Sequence, residues 1–180
     1  MANATSPKDQ WIQVIEEYLT TAEWCIDTSK GAGIRGYSAT LLLLCVTDAM
    51  GHGLLPDNGR STRLDVLMYP PFDPALNLNA SKVGNLVSWY RNMLAHTGTM
   101  SPNVFLEPDE QGVPFSFDGN DALNVIRVPV LYQAVKAAWE GRDKSIFICP
   151  SMHGKAPPDP TAQPPGFISS LSTLVSGGVW

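Results

Sequence analysis

The chain has 180 residues and a mass of 19.5 kDa, and 44% of its residues are hydrophobic and 16% are charged. This composition suits one globular domain and excludes a chain that is disordered throughout. Twelve Lys and Arg against seventeen Asp and Glu give a formal net charge of -5, which excludes a surface that binds polyanions generically. Three cysteines without a Cys-x-x-Cys pair favour neither a disulfide framework nor a structural zinc site, so we expect a cytoplasmic protein.

The N-terminal region predicts a first helix. Ser6, Pro7 and Asp9 are typical of a helix start with Ser6 as N-cap, and residues 31–33, Gly-Ala-Gly, are expected to end the helix. Its predicted buried face follows the three-four spacing and comprises Ile15, Tyr18, Leu19, Ala22, Cys25 and Ile26.

A second helix is predicted from near Gly36 to Gly53. It is apolar on every side, which indicates the central helix of a bundle, and Asp48 is its only charge. A carboxylate in such a helix needs a partner. His52 in the turn that follows and His153 near the C-terminus lack metal-ligand spacing, so no metal is expected.

The middle of the chain predicts a long connection, a third helix and a small hairpin. Residues 54–80 contain four prolines and predict an irregular connection. The third helix is expected from Ser81 to about His96. In residues 103–117, two short apolar runs flank a polar segment with Gly and Pro, which predicts a hairpin insertion.

A fourth helix is predicted from about Asp121 to Trp139, with Pro129 as a kink or late start and Gly141 as its stop. Residues 150–180 are rich in proline and predict an extended C-terminal tail. We therefore expect an all-α bundle in residues 1–149, a small hairpin inserted at about 103–117, and a C-terminal extension without a membrane-spanning segment.

The third predicted helix has two distinct sides. Its apolar side comprises Val83, Leu86, Val87, Tyr90 and Leu94. Its polar side comprises Asn85, Asn92 and His96, with Trp89 close by, and Arg91 lies on the flank. One interpretation is structural: His96 complements the helix dipole, and Arg91 pairs with Asp48. Alternatively, an aromatic residue on the polar side indicates a cleft or a subunit interface.

The segment Arg91-Asn92-Met-Leu-Ala-His96 resembles the Arg-x(4–6)-His signature of HEPN domains, in which a polar residue, often Asn, follows the arginine. The resemblance covers roughly residues 7–140. It implies a HEPN-like helical bundle, a homodimer in which two copies of the motif line one cleft, and metal-independent endoribonuclease activity without a cofactor. RNA is the implied substrate, and an antitoxin or a nucleotidyltransferase is the implied partner.

The resemblance also assigns roles. His96 would move the proton of the RNA 2′-OH or protonate the leaving oxygen, because histidine titrates near neutrality. Arg91 would hold the charge of the phosphate in the transition state, and Asn92 would orient His96 or a phosphate oxygen. Asp48 and Trp89 would support the site. A toxin–antitoxin or defence system is one expected setting; the alternative is a non-catalytic module that binds a protein, a nucleotide or a small ligand.

In some HEPN proteins a tyrosine two residues after the histidine accepts AMP from a partner nucleotidyltransferase. Thr97, Gly98 and Thr99 follow His96 here, so this mode of control lacks its acceptor. The acidic composition favours the non-catalytic alternative, and the presence of Arg91, Asn92 and His96 together favours the ribonuclease.

Overall fold

The computed structural model describes residues 6–28, 34–55, 63–70, 72, 76–90, 103–141 and 144. Within them the fold is mostly helical, with α1 (Pro7–Thr28), α2 (Ile34–Leu54), a 3-10 helix (Leu64–Met68), α3 (Ala80–Ser88) and α4 (Val128–Glu140). The strands are β1 (Phe105–Glu107), β2 (Phe115–Phe117) and β3 (Leu123–Arg127). The predicted helical architecture is therefore confirmed in its coarse form. No helix of the described part is both long and apolar enough to cross a membrane.

Helix α1 begins where the sequence predicts. The Ser6 Oγ accepts a hydrogen bond from the Asp9 backbone N–H at 3.1 Å, and the Asp9 carboxylate accepts from the Ser6 N–H at 3.3 Å. This reciprocal cap satisfies two amides that the helix itself leaves without partners. Ile15, Leu19, Ala22 and Cys25 are buried as predicted. Tyr18 is 37% exposed, so its assignment to the buried face was wrong, because it lies at the edge of that face.

Helix α2 is central, as predicted, and contacts α1, α4 and the 3-10 helix. Leu43, Leu44 and Met50 are fully buried along it. The approach to the 3-10 helix requires a glycine, because a Cβ at Gly51 would overlap the backbone carbonyl and the Cβ of Arg63. The predicted irregular connection thus contains a 3-10 helix whose Leu64, Val66 and Leu67 belong to the core.

The sheet differs from the predicted hairpin. Strand β3 lies between the other two strands, parallel to β1 and antiparallel to β2. The two apolar runs expected to pair with each other therefore pair with a third strand that the sequence assigned to a helix. Arg127 at the end of β3 explains part of this arrangement, because its Nε lies 3.2 Å from the Glu107 carboxylate and its Nη1 donates to Ser116 Oγ at 3.0 Å.

The fourth helix begins at Val128, so the prediction of a start near Asp121 was wrong and the late start at Pro129 was right. Proline fits the first turn because its missing N–H would have no partner there. Gly141 ends the helix as predicted, and its N–H donates to the carbonyl of Ala137 at 2.9 Å. The predicted extension, residues 150–180, lies outside the described residues.

Candidate functional site

The predicted catalytic residues Arg91, Asn92 and His96 lie outside the described residues. The helix that leads to them is described as far as Tyr90, and so are both predicted supporting residues, Asp48 and Trp89. The described part of the candidate site therefore consists of α3 up to Tyr90 and the face of α2 that Tyr90 contacts.

Helix α3 starts at a side-chain cap. The Asn79 Oδ1 accepts from the Lys82 backbone N–H at 2.8 Å, and Val83 and Leu86 are buried. These two residues and Tyr90 confirm the predicted apolar side, while Val87 is half-buried and Leu94 lies outside the described residues. Trp89 and Tyr90 continue α3 as a π-helical turn, a local geometry that is frequent at functional sites.

Tyr90 fixes the last described turn of α3 against α2. Its hydroxyl oxygen lies 3.2 Å from the Cys45 Sγ, and its side chain is 9% exposed. Cys45 stands three residues before Asp48 in α2, so the two side chains project from the same face. The residue directly before Arg91 is therefore anchored beside the helical face that carries Asp48.

Cys45, Asp48 and His52 form what we term the α2 polar edge. They follow the spacing i, i+3 and i+7 along α2, and Asp48 is the one acidic residue of that helix. The His52 Nε2 lies 3.9 Å from Asp48 Oδ2, and their side chains are 32% and 23% exposed. The structure places His52 in the last turn of α2 rather than in the turn after it.

Asp48 also has a partner that the sequence did not indicate. The backbone N–H of Arg63 donates to Asp48 Oδ1 at 2.5 Å. Arg63 is 3% exposed, and its backbone packs on Gly51 one turn further along α2. The carboxylate thus ties the connection after α2 to the polar edge, while the predicted partner, Arg91, lies outside the described residues.

Burial raises the pKa of the Cys45 thiol above its ordinary value, and the nearby Asp48 charge adds to this effect. The hydrogen bond with Tyr90 lowers the pKa of Cys45, but its effect is smaller than that of burial. A thiol with a raised pKa is protonated at neutral pH, whereas a nucleophilic cysteine must be a thiolate. Cys45 is therefore suited to packing and to anchoring Tyr90, and unsuited to nucleophilic catalysis.

Trp89 does not lie on a polar face. Its side chain is 5% exposed and belongs to the hydrophobic core. Its indole Nε1 is buried and has no hydrogen-bond partner within the described part of the chain. The prediction that Trp89 shares the polar side of α3 was wrong, because its side chain is buried in the hydrophobic core. The cleft or subunit interface inferred from it stays a prediction.

A cleft of about 260 Å³ lies between the end of α1 and the start of α4. Glu23, Asp27 and Glu110 line it together with Tyr132. Lys136 Nζ is 3.5 Å from the Glu23 carboxylate. Burial is the main cause that raises the pKa of Tyr132. Three carboxylates repel a phosphate, so this cleft is unsuited to RNA.

Comparison with known proteins identifies no relative. No protein-family model, curated protein or solved structure matches the chain.

Among the described residues, no group of three or more His, Cys, Asp or Glu could hold a metal ion. The sequence identified Asp48 but not its neighbours Cys45 and Arg63, nor the contact of Tyr90 with Cys45. The i, i+3, i+7 spacing along α2 was the signal that could have identified the polar edge.

Proposed function

We propose that this protein is a metal-independent endoribonuclease of the HEPN type, acting through Arg91, Asn92 and His96. The observation that carries the proposal is the anchoring of Tyr90, the residue directly before Arg91, on Cys45 of the α2 polar edge. This contact holds the residue before the motif on Cys45, three residues before Asp48, the one acidic residue of α2. A polar motif that directly follows a residue anchored near a carboxylate supports a functional site over a solvated helix end.

In the proposed reaction, the RNA 2′-oxygen attacks the adjacent phosphorus and the bond from phosphorus to the 5′-oxygen breaks. One group takes the 2′-OH proton and one supplies a proton to the departing 5′-oxygen; His96 performs one of these transfers. Arg91 stabilises the charge on the phosphate oxygens, and Asn92 orients His96 or a phosphate oxygen. The products are a 2′,3′-cyclic phosphate and a 5′-OH, and DNA is not cut because it lacks the nucleophile.

The proposal includes a homodimer in which two motifs share one cleft, and an antitoxin or nucleotidyltransferase as partner. In this proposal Asp48 serves as a supporting residue that orients Arg91, since a carboxylate is a suitable partner for an arginine side chain. A non-catalytic module that binds a protein, a nucleotide or a small ligand is the second candidate. The net charge of -5 favours it, because nucleic-acid binding draws on a positive surface.

Cleavage of a mixed RNA pool in the presence of EDTA tests the proposal. The wild-type chain is expected to cut RNA and leave cyclic phosphate ends, and His96→Ala is expected to lose about 100-fold or more in rate, the usual contribution of a general acid or base. His153→Ala is the matched control, since it removes a histidine outside the motif, and it is expected to cut like the wild type.

Two results would overturn the proposal that the protein is a ribonuclease. One is a wild-type chain that leaves every RNA intact with and without metal ions. The other is a His96→Ala variant that cuts as fast as His153→Ala. Either result would favour the second candidate, which retains the fold without the chemistry.

A further inference from the structure

The first two turns of α3 are held by polar contacts to the turn between β2 and β3. The Asn85 Nδ2 donates to the backbone carbonyl of Asp121 at 2.6 Å. The amide of Asn79, the N-cap of α3, lies 3.5 Å from the Asp121 carboxylate. Asn85 is half-buried, so its hydrogen bond to Asp121 is partly shielded from water.

Two residues with left-handed backbone face α3. Asn77 and Asp121 have φ angles of 49° and 60° and are the non-glycine residues with positive φ in the described part of the chain. Each presents its carbonyl to a side chain of α3: Asn77 O accepts from Lys82 Nζ at 3.2 Å, and Asp121 O accepts from Asn85. Backbone of this kind is costly for L-residues and persists where surrounding contacts enforce it.

The turn that presents the Asp121 carbonyl is itself fixed. The Asp118 Oδ1 accepts hydrogen bonds from the backbone N–H groups of Asn120 and Ala122 at 2.8 and 2.9 Å. The Asp121 N–H donates to the Asp118 carbonyl at 3.1 Å. The acceptor for Asn85 is thus held in place by hydrogen bonds within its own turn.

We propose that Asn85 is a positioning residue which, through the Asp121 carbonyl, sets the placement of α3 and thereby of the catalytic residues that follow it in the chain. This inference rests on the proposed function. Apolar packing by Val83 and Leu86 selects the buried face of α3, but it tolerates sliding and rotation because it has no direction. A hydrogen bond of defined geometry removes that freedom, and catalysis is sensitive to displacements of about 1 Å.

Four variants test the inference. Asn85→Ala removes the donor, and Asn124→Ala makes the same change at an exposed position of β3. Asp121→Gly and Asp121→Val both remove the carboxylate. Glycine keeps the left-handed backbone and so keeps the carbonyl in place, whereas the β-branched valine disfavours that backbone and moves it.

RNA cleavage is measured for each variant well below its unfolding temperature, with kcat and KM separated. Asn85→Ala and Asp121→Val are expected to lower kcat by about tenfold, the effect of one misplaced hydrogen bond, with KM nearly unchanged. Asn124→Ala is expected to match the wild type. Asp121→Gly is expected to lose less than Asp121→Val, because it keeps the carbonyl in place and loses only the long contact of the Asp121 carboxylate with Asn79. An unchanged kcat for Asn85→Ala, a loss confined to KM, or equal losses for Asp121→Gly and Asp121→Val would overturn the inference.

Hydrogen exchange of the α3 backbone separates this inference from the proposed function. If the wild type does not cleave RNA, the proposed function fails and exchange decides the positioning role. Faster exchange of the Val83–Tyr90 amides in Asn85→Ala than in Asn124→Ala would support the role of Asn85 on α3. Equal exchange in the two variants would overturn it.

Discussion

Helices α2 and α3 are held in place by different forces. Helix α2 is covered by α1, α4 and the 3-10 helix, and Leu43, Leu44 and Met50 have no exposed surface. Helix α3 buries one side and is otherwise held by hydrogen bonds from Asn79 and Asn85 to the turn after β2. Apolar burial supplies most of the stability of a fold, whereas directional polar contacts fix position. The difference indicates that α2 is the scaffold and that the position of α3 depends on its polar contacts.

The largest effect is expected from Leu44→Ala in α2. Leu44 is fully buried, so the substitution leaves a cavity and should lower the free energy of unfolding by about 2–5 kcal/mol. Urea unfolding measures this change. Val14→Ala in α1 is the control, because Val14 is 42% exposed, and its effect should stay within about 0.5 kcal/mol. Similar losses in the two variants would contradict the role of α2 as scaffold.

Two glycine substitutions sharpen the comparison between α2 and α3. Gly51→Ala should lower the free energy of unfolding by about 1–3 kcal/mol, because its Cβ would overlap the Arg63 backbone. Gly84→Ala in α3 should raise the free energy of unfolding by about 0.5–1 kcal/mol, because its Cβ meets no atom within 4 Å and alanine favours a helix.

Thermal or urea unfolding of the two glycine variants measures both signs in one experiment. Each variant is the control for the other, since both place the same methyl group in a helix. A gain in stability from Gly51→Ala would show that the α2 contact with Arg63 yields easily, and the distinction between a rigid and an adjustable helix would fail.

The smallest effect concerns pH and the contact between α2 and α3. The pKa of Cys45 is raised, chiefly by burial, so the folded state favours the neutral thiol. This contribution to stability is fully present below the ordinary thiol pKa and is lost as the pH rises through the raised value. As the pH rises through the thiol pKa, the free energy of unfolding should therefore fall less in Cys45→Ala than in the wild type. Urea unfolding at neutral and alkaline pH measures this difference.

The same pKa shift can be followed through the rate of Cys45 alkylation. Its pH midpoint should lie above that of a free cysteine, and Asp48→Asn should lower the midpoint because the Asp48 charge contributes to the shift. Asparagine keeps an oxygen that can accept from the Arg63 N–H, so the variant removes the charge without removing the acceptor. An unchanged midpoint in Asp48→Asn would contradict this contribution.

The sequence alone determined the features that depend on neighbouring residues. The Ser6 cap and the end of α4 at Gly141 were predicted because the groups that interact lie within four residues of each other. The apolar side of α3 and the central position of α2 were also predicted, since hydrophobic periodicity records burial directly. The hypothesis that Arg91 and His96 are catalytic rests on the motif alone.

Only the tertiary structure decided the contacts that join distant residues. The pairing of β1 with β3, the Arg63 N–H on Asp48 and the Asp121 carbonyl facing Asn85 link segments that are separated by 15 to 36 residues. The sequence pattern placed Trp89 on the polar side of α3, whereas its side chain lies in the hydrophobic core. Strand pairing and helix placement depend on which surfaces compete for burial, and that competition is resolved only when the whole chain packs.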